Sequence, residues 1–329
     1  MEMEHNGLLS GIYLHPGIPG LLTNAKYTSV SLIGSAVVLY AELLLLRTKF
    51  RLLQGSIAVL ATAMWLGLPY YAPFQCGVLD SLLRLCCGCA AMKALEMYIR
   101  RSRPPIPKYP MSNAWYAFNL LWELRFESFD ISTVRAPPYE FNETSEFFLH
   151  AVLFGIFQFL PQTNLVKADS MIISIYLLWT FCNYFLRYRN SVALFGPIWR
   201  ATDLSSFWSE TWHNAFSSPC HVLGYKQFRR FGKVPAVCAA FFLMGIWHAW
   251  SLAPIVAPAG RIRVLVFFVS QALGCALDTA IWKHHKTTLR MICSWMYCNY
   301  WALWTVRELS IPDGVTNIAW NHMCKEFTR

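Results

Sequence analysis

Long apolar runs separated by short basic loops set the rhythm of this chain. Runs near the length a helix needs to cross hydrocarbon fall at 28–46, 52–74, 78–98, 171–186, 234–257 and 264–282, with shorter ones at 147–160 and 291–306. The pattern predicts an all-α, polytopic integral membrane protein of about eight transmembrane helices, forming one membrane-embedded domain over 1–329. The loops orient it. Arg47, Lys49 and Arg51 follow the first run, Arg100, Arg101, Arg103 and Lys108 the third, and Arg187 and Arg189 the fifth. Lys226, Arg229, Arg230 and Lys233 precede the sixth, and Lys283, Lys286 and Arg290 follow the seventh. With eight spans all of these fall on one side, which the positive-inside rule assigns to the cytosol; Arg261 and Arg263 are the exception.

Four stretches add something to plain hydropathy. The third run carries Asp80, Arg84, Lys93 and Glu96, and the four-residue spacing of Asp80 and Arg84 predicts an ion pair within one helix. Between Trp115 and Phe141 aromatics alternate with charges, which suits an interfacial or cytosolic segment. Asn142-Glu-Thr144 matches a glycosylation sequon but lies on the side predicted to be cytosolic, where it goes unused. The acidic start, Met-Glu-Met-Glu-His-Asn, lacks the basic region of a cleavable signal peptide, so the first span is expected to direct insertion.

Composition agrees with a membrane chain. Hydrophobic residues make up 56% and charged residues 14% of 329, and mean hydropathy is +0.36. A net charge of +10 would suggest nucleic acid in a soluble protein; here the juxtamembrane position of the cations explains it, and no nucleic-acid partner is expected. The 11 cysteines are scattered through apolar runs with neither metal-ligand nor disulfide spacing, so they read as packing residues. No metal site is expected, the adjacent His284 and His285 reading as loop charge.

The chemistry concentrates in two segments. The first runs Arg200-Ala-Thr-Asp203-Leu-Ser-Ser-Phe207-Trp208-Ser-Glu-Thr-Trp212-His213-Asn214. Asp203 suits a helix N-cap; Leu204, Trp208, Trp212 and Phe216 then share one face of an interfacial helix that Pro219 would stop. The second, Phe241-Phe-Leu-Met-Gly-Ile-Trp247-His248-Ala-Trp250, places an imidazole inside an apolar span, where a polar group is costly enough to mark function.

Together these segments resemble the wax-synthase-like branch of the membrane-bound O-acyltransferases, with a core at about 187–285. Among these they are most similar to fungal O-acetyltransferases acting on terpenoid and meroterpenoid secondary metabolites. The resemblance implies an enzyme of the endoplasmic reticulum moving an acetyl group from acetyl-CoA, a co-substrate rather than a bound cofactor, to a hydroxyl of a lipophilic alcohol. It implies His248 as the base, with His213 and Asn214, on a cytosol-facing segment, holding substrate or stabilising the oxyanion. Trp208 and Trp212 would line the cleft, and Lys226, Arg229, Arg230 and Lys233 would meet the phosphates of the acyl-CoA. Arg200 and Asp203 also match family positions, Asp203 with capping as its simplest role.

Other classes fare worse. There is no Gly-x-Ser-x-Gly elbow, no Gly-rich phosphate loop and no His-x-x-x-Asp signature. Long-chain transfer to make wax or sterol esters shares the same residues. An integral-membrane terpene cyclase would use a buried acid, for which Glu42, Asp80, Glu96 and Asp278 are the candidates. A transporter would show repeated halves, and none is visible.

Overall fold

The computed structural model describes residues 26, 29–30, 32–38, 40–41, 50–71, 73–74, 77–132, 134, 140–186, 192–212, 215–283, 285, 287–307 and 309. Among them regular structure is helical, and the one β-type contact is an isolated antiparallel bridge between Pro107 and Phe129. The helices of ten or more residues that lie wholly among the described residues are α1 (Arg51–Tyr71), α2 (Gly77–Ile99), α3 (Asn113–Trp122), α4 (Glu143–Phe159), α5 (Asn164–Leu186), α6 (Lys233–Ser251), α7 (Pro258–Trp282) and α8 (Thr288–Val306).

Four stretches are long and apolar enough to cross a membrane: Arg51–Tyr71, Asn164–Tyr184, Lys233–Ser251 and Pro258–Trp282. The expectation of eight spans is therefore met for four among the described residues. The run expected at 28–46 lies partly outside them. The run at 78–98 does form a 23-residue helix, α2, but its charged side chains turn inward. Asp80, Lys93 and Glu96 are each at most 3% exposed.

That burial is tolerated because each charge finds partners. Asp80 pairs with Arg84 at 2.9 Å, as the four-residue spacing predicted, and also accepts the Phe74 backbone N–H. Lys93 Nζ donates to the carbonyls of Leu120 and Glu123, at 3.0 and 2.5 Å. Glu96 pairs with Arg100 at 2.8 Å and accepts from the Ser218 hydroxyl. So α2 is a core helix whose ionic groups tie it to the C-terminal end of α3 and to the segment before α6.

The stretch expected to be interfacial, around 115–141, is instead partly core. Phe126 and Phe129 are fully buried, packed with Tyr116, Leu120, Ala94 and Met97. Arg125 reaches out of this lobe to donate to the carbonyls of Val192 (2.7 Å) and Ala193 (3.2 Å), anchoring the start of the segment that leads to Trp208. The sequon asparagine is used structurally. Its side chain caps α4, Asn142 accepting from the N–H groups of Thr144 and Ser145.

The largest apolar cluster is built around the 194–216 segment. Leu194, Phe195, Ile198, Leu204, Phe207 and Phe216 pack with Met92, Tyr176, Met244, Trp247, Cys275 and Cys298 from α2, α5, α6, α7 and α8. Burial in protein is what lets an irregular segment persist in an apolar setting, and its backbone groups are met by polar partners, Gly196 N–H donating to the Thr211 carbonyl at 3.0 Å.

Candidate functional site

The segment at 203–212 starts as the sequence predicts and ends differently. Asp203 is the N-cap and forms a capping box with Ser206: its carboxylate accepts the Ser206 N–H at 2.9 Å, and the Ser206 hydroxyl lies 3.1 Å from the Asp203 N–H. Helix over Leu204–Ser206 then widens into a π-type turn over Phe207–Thr211, and Trp212 leaves it in extended conformation. The single amphipathic helix running on to Pro219 is thus corrected. Pro219 lies in the first turn of a new helical rod, Ser217 to Phe231, where its missing N–H is tolerated.

Nor is the aromatic stripe an interfacial face. Leu204 and Phe207 are buried, and Trp208 and Trp212 are half-buried against protein. Trp208 is met edge-on by Phe241 at 5.4 Å and flanked by Phe267 and Phe268 at 6.3 and 6.1 Å; Trp212 stacks on Phe207 at 5.6 Å and meets Phe195 edge-on at 5.3 Å. His213 and Asn214 lie outside the described residues.

Asp203 is held from below by a clamp that sequence reasoning missed. Arg290, placed by its charge in a cytosolic loop, is instead 5% exposed in the first turn of α8. It grips Asp278 of α7 with two hydrogen bonds, 2.9 and 2.6 Å, and stands 3.6 Å from the Asp203 carboxylate. One bidentate guanidinium thereby fixes three elements, a geometry lysine cannot reproduce.

His248 sits fifteen residues into α6, half-buried. Its Nδ1 lies 2.8 Å from the Met244 carbonyl oxygen. A carbonyl only accepts, so Nδ1 carries the proton and Nε2 the lone pair, the tautomer a general base requires. One ring face stacks on Phe268 of α7 at 4.4 Å, and the Trp247 ring meets it edge-on at 4.5 Å. Phe268 also borders Trp208, so imidazole and aromatic segment share one wall.

On the same wall is Gln271, three residues beyond Phe268 on α7 and fully buried. Its Oε1 accepts the Trp208 indole N–H at 3.3 Å. The signal for it in the sequence was a lone amide within an apolar span.

The cations Lys226, Arg229, Arg230 and Lys233 are exposed and gathered at the far end of α6 from His248. Fifteen residues of helix put Lys233 about 22 Å along the axis from the imidazole. The rod bearing the first three docks on α6 through Gly224, where a β-carbon would come within 2.6 Å of the Ala240 Cα. Gly232, at φ +115°, then turns the chain into α6, a conformation suited to glycine.

Among the described residues no group of His, Cys, Asp or Glu side chains could hold a metal ion. Burial, with Glu96 nearby, pushes the Cys220 thiol in the rod up to about 12, leaving a packing group rather than a nucleophile. The acids a cyclase would need are committed elsewhere: Asp80, Glu96 and Asp278 each pair with an arginine, and Glu42 lies outside the described residues.

Residues 191–270 match the model of the Membrane bound O-acyl transferase family. The match supports a membrane acyltransferase activity in general. It contains Trp208, the rod, His248 and Phe268, and stops one residue before Gln271. No curated protein and no solved structure matches the chain.

Proposed function

We propose that the protein is an O-acetyltransferase that moves an acetyl group from acetyl-CoA to a hydroxyl of a terpenoid or meroterpenoid in the endoplasmic reticulum membrane. The observation that carries this is the imidazole of His248, embedded in a helix of spanning length with its proton directed to the Met244 carbonyl and its lone pair left for a substrate. The family match over the same segment favours acyl transfer over other uses of a buried base.

In this reading, Nε2 of His248 removes the proton of the acceptor hydroxyl as its oxygen attacks the thioester carbonyl, forming the C–O bond. The carbonyl π electrons move onto oxygen and return as the C–S bond breaks. The departing thiolate takes the proton from the imidazolium, so the products are the ester and free CoA thiol, with no acyl-enzyme. The aromatic wall of Trp208, Phe241 and Phe268 suits a lipophilic acceptor. His213 and Asn214 are assigned to holding substrate or stabilising the oxyanion.

In an eight-span topology Lys226, Arg229, Arg230 and Lys233 face the cytosol, where acyl-CoA is made and where they meet its phosphates. The length of α6 between the cations and His248 is a gap for the pantetheine arm to cross while the nucleotide stays in water.

The test is product mass from microsomes carrying wild type or His248→Ala, supplied with acetyl-CoA, palmitoyl-CoA and a panel of terpenoid alcohols. Acetyl ester from the wild type alone is the expected result. Palmitoyl ester would keep the mechanism and move the substrate to wax or sterol ester formation; an active mutant would remove His248 as base.

A further inference from the structure

We propose that Gln271 is a catalytic residue: its side-chain N–H groups receive the acyl carbonyl oxygen and hold the oxyanion formed opposite His248. The inference rests on the acyl-transfer reading above and adds to it a donor that lies outside the family-matched segment.

Three observations carry it. First, Gln271 is fully buried and its Nε2 has no hydrogen-bond partner among the described residues. A buried amide donor without an acceptor forfeits its hydration, a cost that calls for a role or a ligand to complete it. Second, the orientation is fixed. The indole N–H of Trp208 only donates, so the amide atom facing it at 3.3 Å is Oε1, and the unpaired end is the donor. Third, Gln271 belongs to the aromatic wall that His248 borders. Phe268 stacks on His248, Gln271 follows it by about one turn of α7, and Trp208 touches both. The pair offers a proton acceptor and an oxyanion donor on one apolar surface.

The step balances as written for the transfer. The electron pair displaced from the carbonyl when the alcohol oxygen adds is held on oxygen by the Nε2 hydrogens. It re-forms the C=O bond as the thiolate leaves. Gln271 gains and loses no proton. Trp208 is a positioning residue in this arrangement, aiming the amide.

The test compares Gln271→Met, similar in length but without polar hydrogens, with Trp208→Phe, which removes the indole N–H and leaves the amide. Turnover and acyl-CoA KM are measured on detergent-purified protein, with thermal melting as a fold check and Gln271→Leu as the second variant where Met folds poorly. The expected result is a kcat about 10²-fold lower in Gln271→Met, an acyl-CoA KM nearly unchanged, and a distinctly smaller loss in Trp208→Phe. Equal losses in the two variants would reduce Gln271 to an acceptor for Trp208 and overturn the proposal. Full turnover in Gln271→Met beside an inactive His248→Ala would overturn it and leave the acyltransferase standing. A wild type that transfers no acyl group from any donor would sink both.

Discussion

His150 and His248 are held by the same bond in different parts of the molecule. Each lies in a helix and has Nδ1 within 2.8 Å of the carbonyl oxygen four residues earlier, Glu146 for one and Met244 for the other. Both rings are therefore the same tautomer. Their neighbours differ. His150 is 3% exposed and packed between two nearly parallel rings, Tyr176 at 3.9 Å and Trp199 at 5.6 Å. His248 is half-buried, stacked on Phe268 with Trp247 edge-on, and shares its wall with an unpaired amide. A helix carbonyl thus fixes a histidine's proton wherever the ring turns back along the helix. The bond makes a base available; the surroundings decide whether anything reaches it.

Substitution at each of the two histidines tests this most severely. His248→Ala should lower turnover by about 10²–10⁴-fold with the fold retained, as loss of a general base does, measured by product mass against a melting curve. His150→Phe keeps the ring stack, so turnover should stay within a few-fold. It loses one buried hydrogen bond, about 0.5–1.5 kcal/mol, read as a lowered melting temperature. A large fall in turnover on changing His150 would break the comparison.

The clamp beneath Trp208 should give the largest stability effect. Arg290→Ala leaves two buried carboxylates without their cation, and truncating such a pair costs about 3–5 kcal/mol, so melting in detergent should shift down sharply. Arg290→Lys should recover only part of this, because an ammonium cannot grip Asp278 at two points. A full recovery would mean that charge alone suffices.

Gly224→Ala is expected to cost about 1–3 kcal/mol, since the new methyl would meet backbone rather than a side chain that can move aside. Smallest of all, removing any one of Lys226, Arg229, Arg230 and Lys233 should raise the acyl-CoA KM by a few-fold, and less at high salt, because exposed charges are screened. A salt-independent KM would detach these cations from donor binding.

Much of the fold could be read from residue order alone. Apolar runs at 52–74, 171–186, 234–257 and 264–282 foreshadowed the helices of spanning length at 51–71, 164–184, 233–251 and 258–282, and the spacing of Asp80 and Arg84 foretold their pair. What escaped depends on partners distant in sequence. Trp212 ends its helix because Phe195 and Phe207 hold it, which helical periodicity cannot register. Arg290 looked like loop charge because it precedes an apolar run, while the carboxylates that bury it come from two other segments. Gln271 hid among apolar neighbours. Its place on the wall that His248 also borders follows from how α6 and α7 pack, since the imidazole meets α7 through Phe268, about one turn before it.

The contact at Gly224 has a mechanical consequence. With backbone against backbone and no side chain between to bend, the rod that bears Lys226, Arg229 and Arg230 cannot slide on the helix that bears His248. A displacement of the rod is therefore passed to α6 at Ala240. In the proposed acyl-transfer reading, a donor held by these cations would thus bear on the helix of the imidazole through a contact without play.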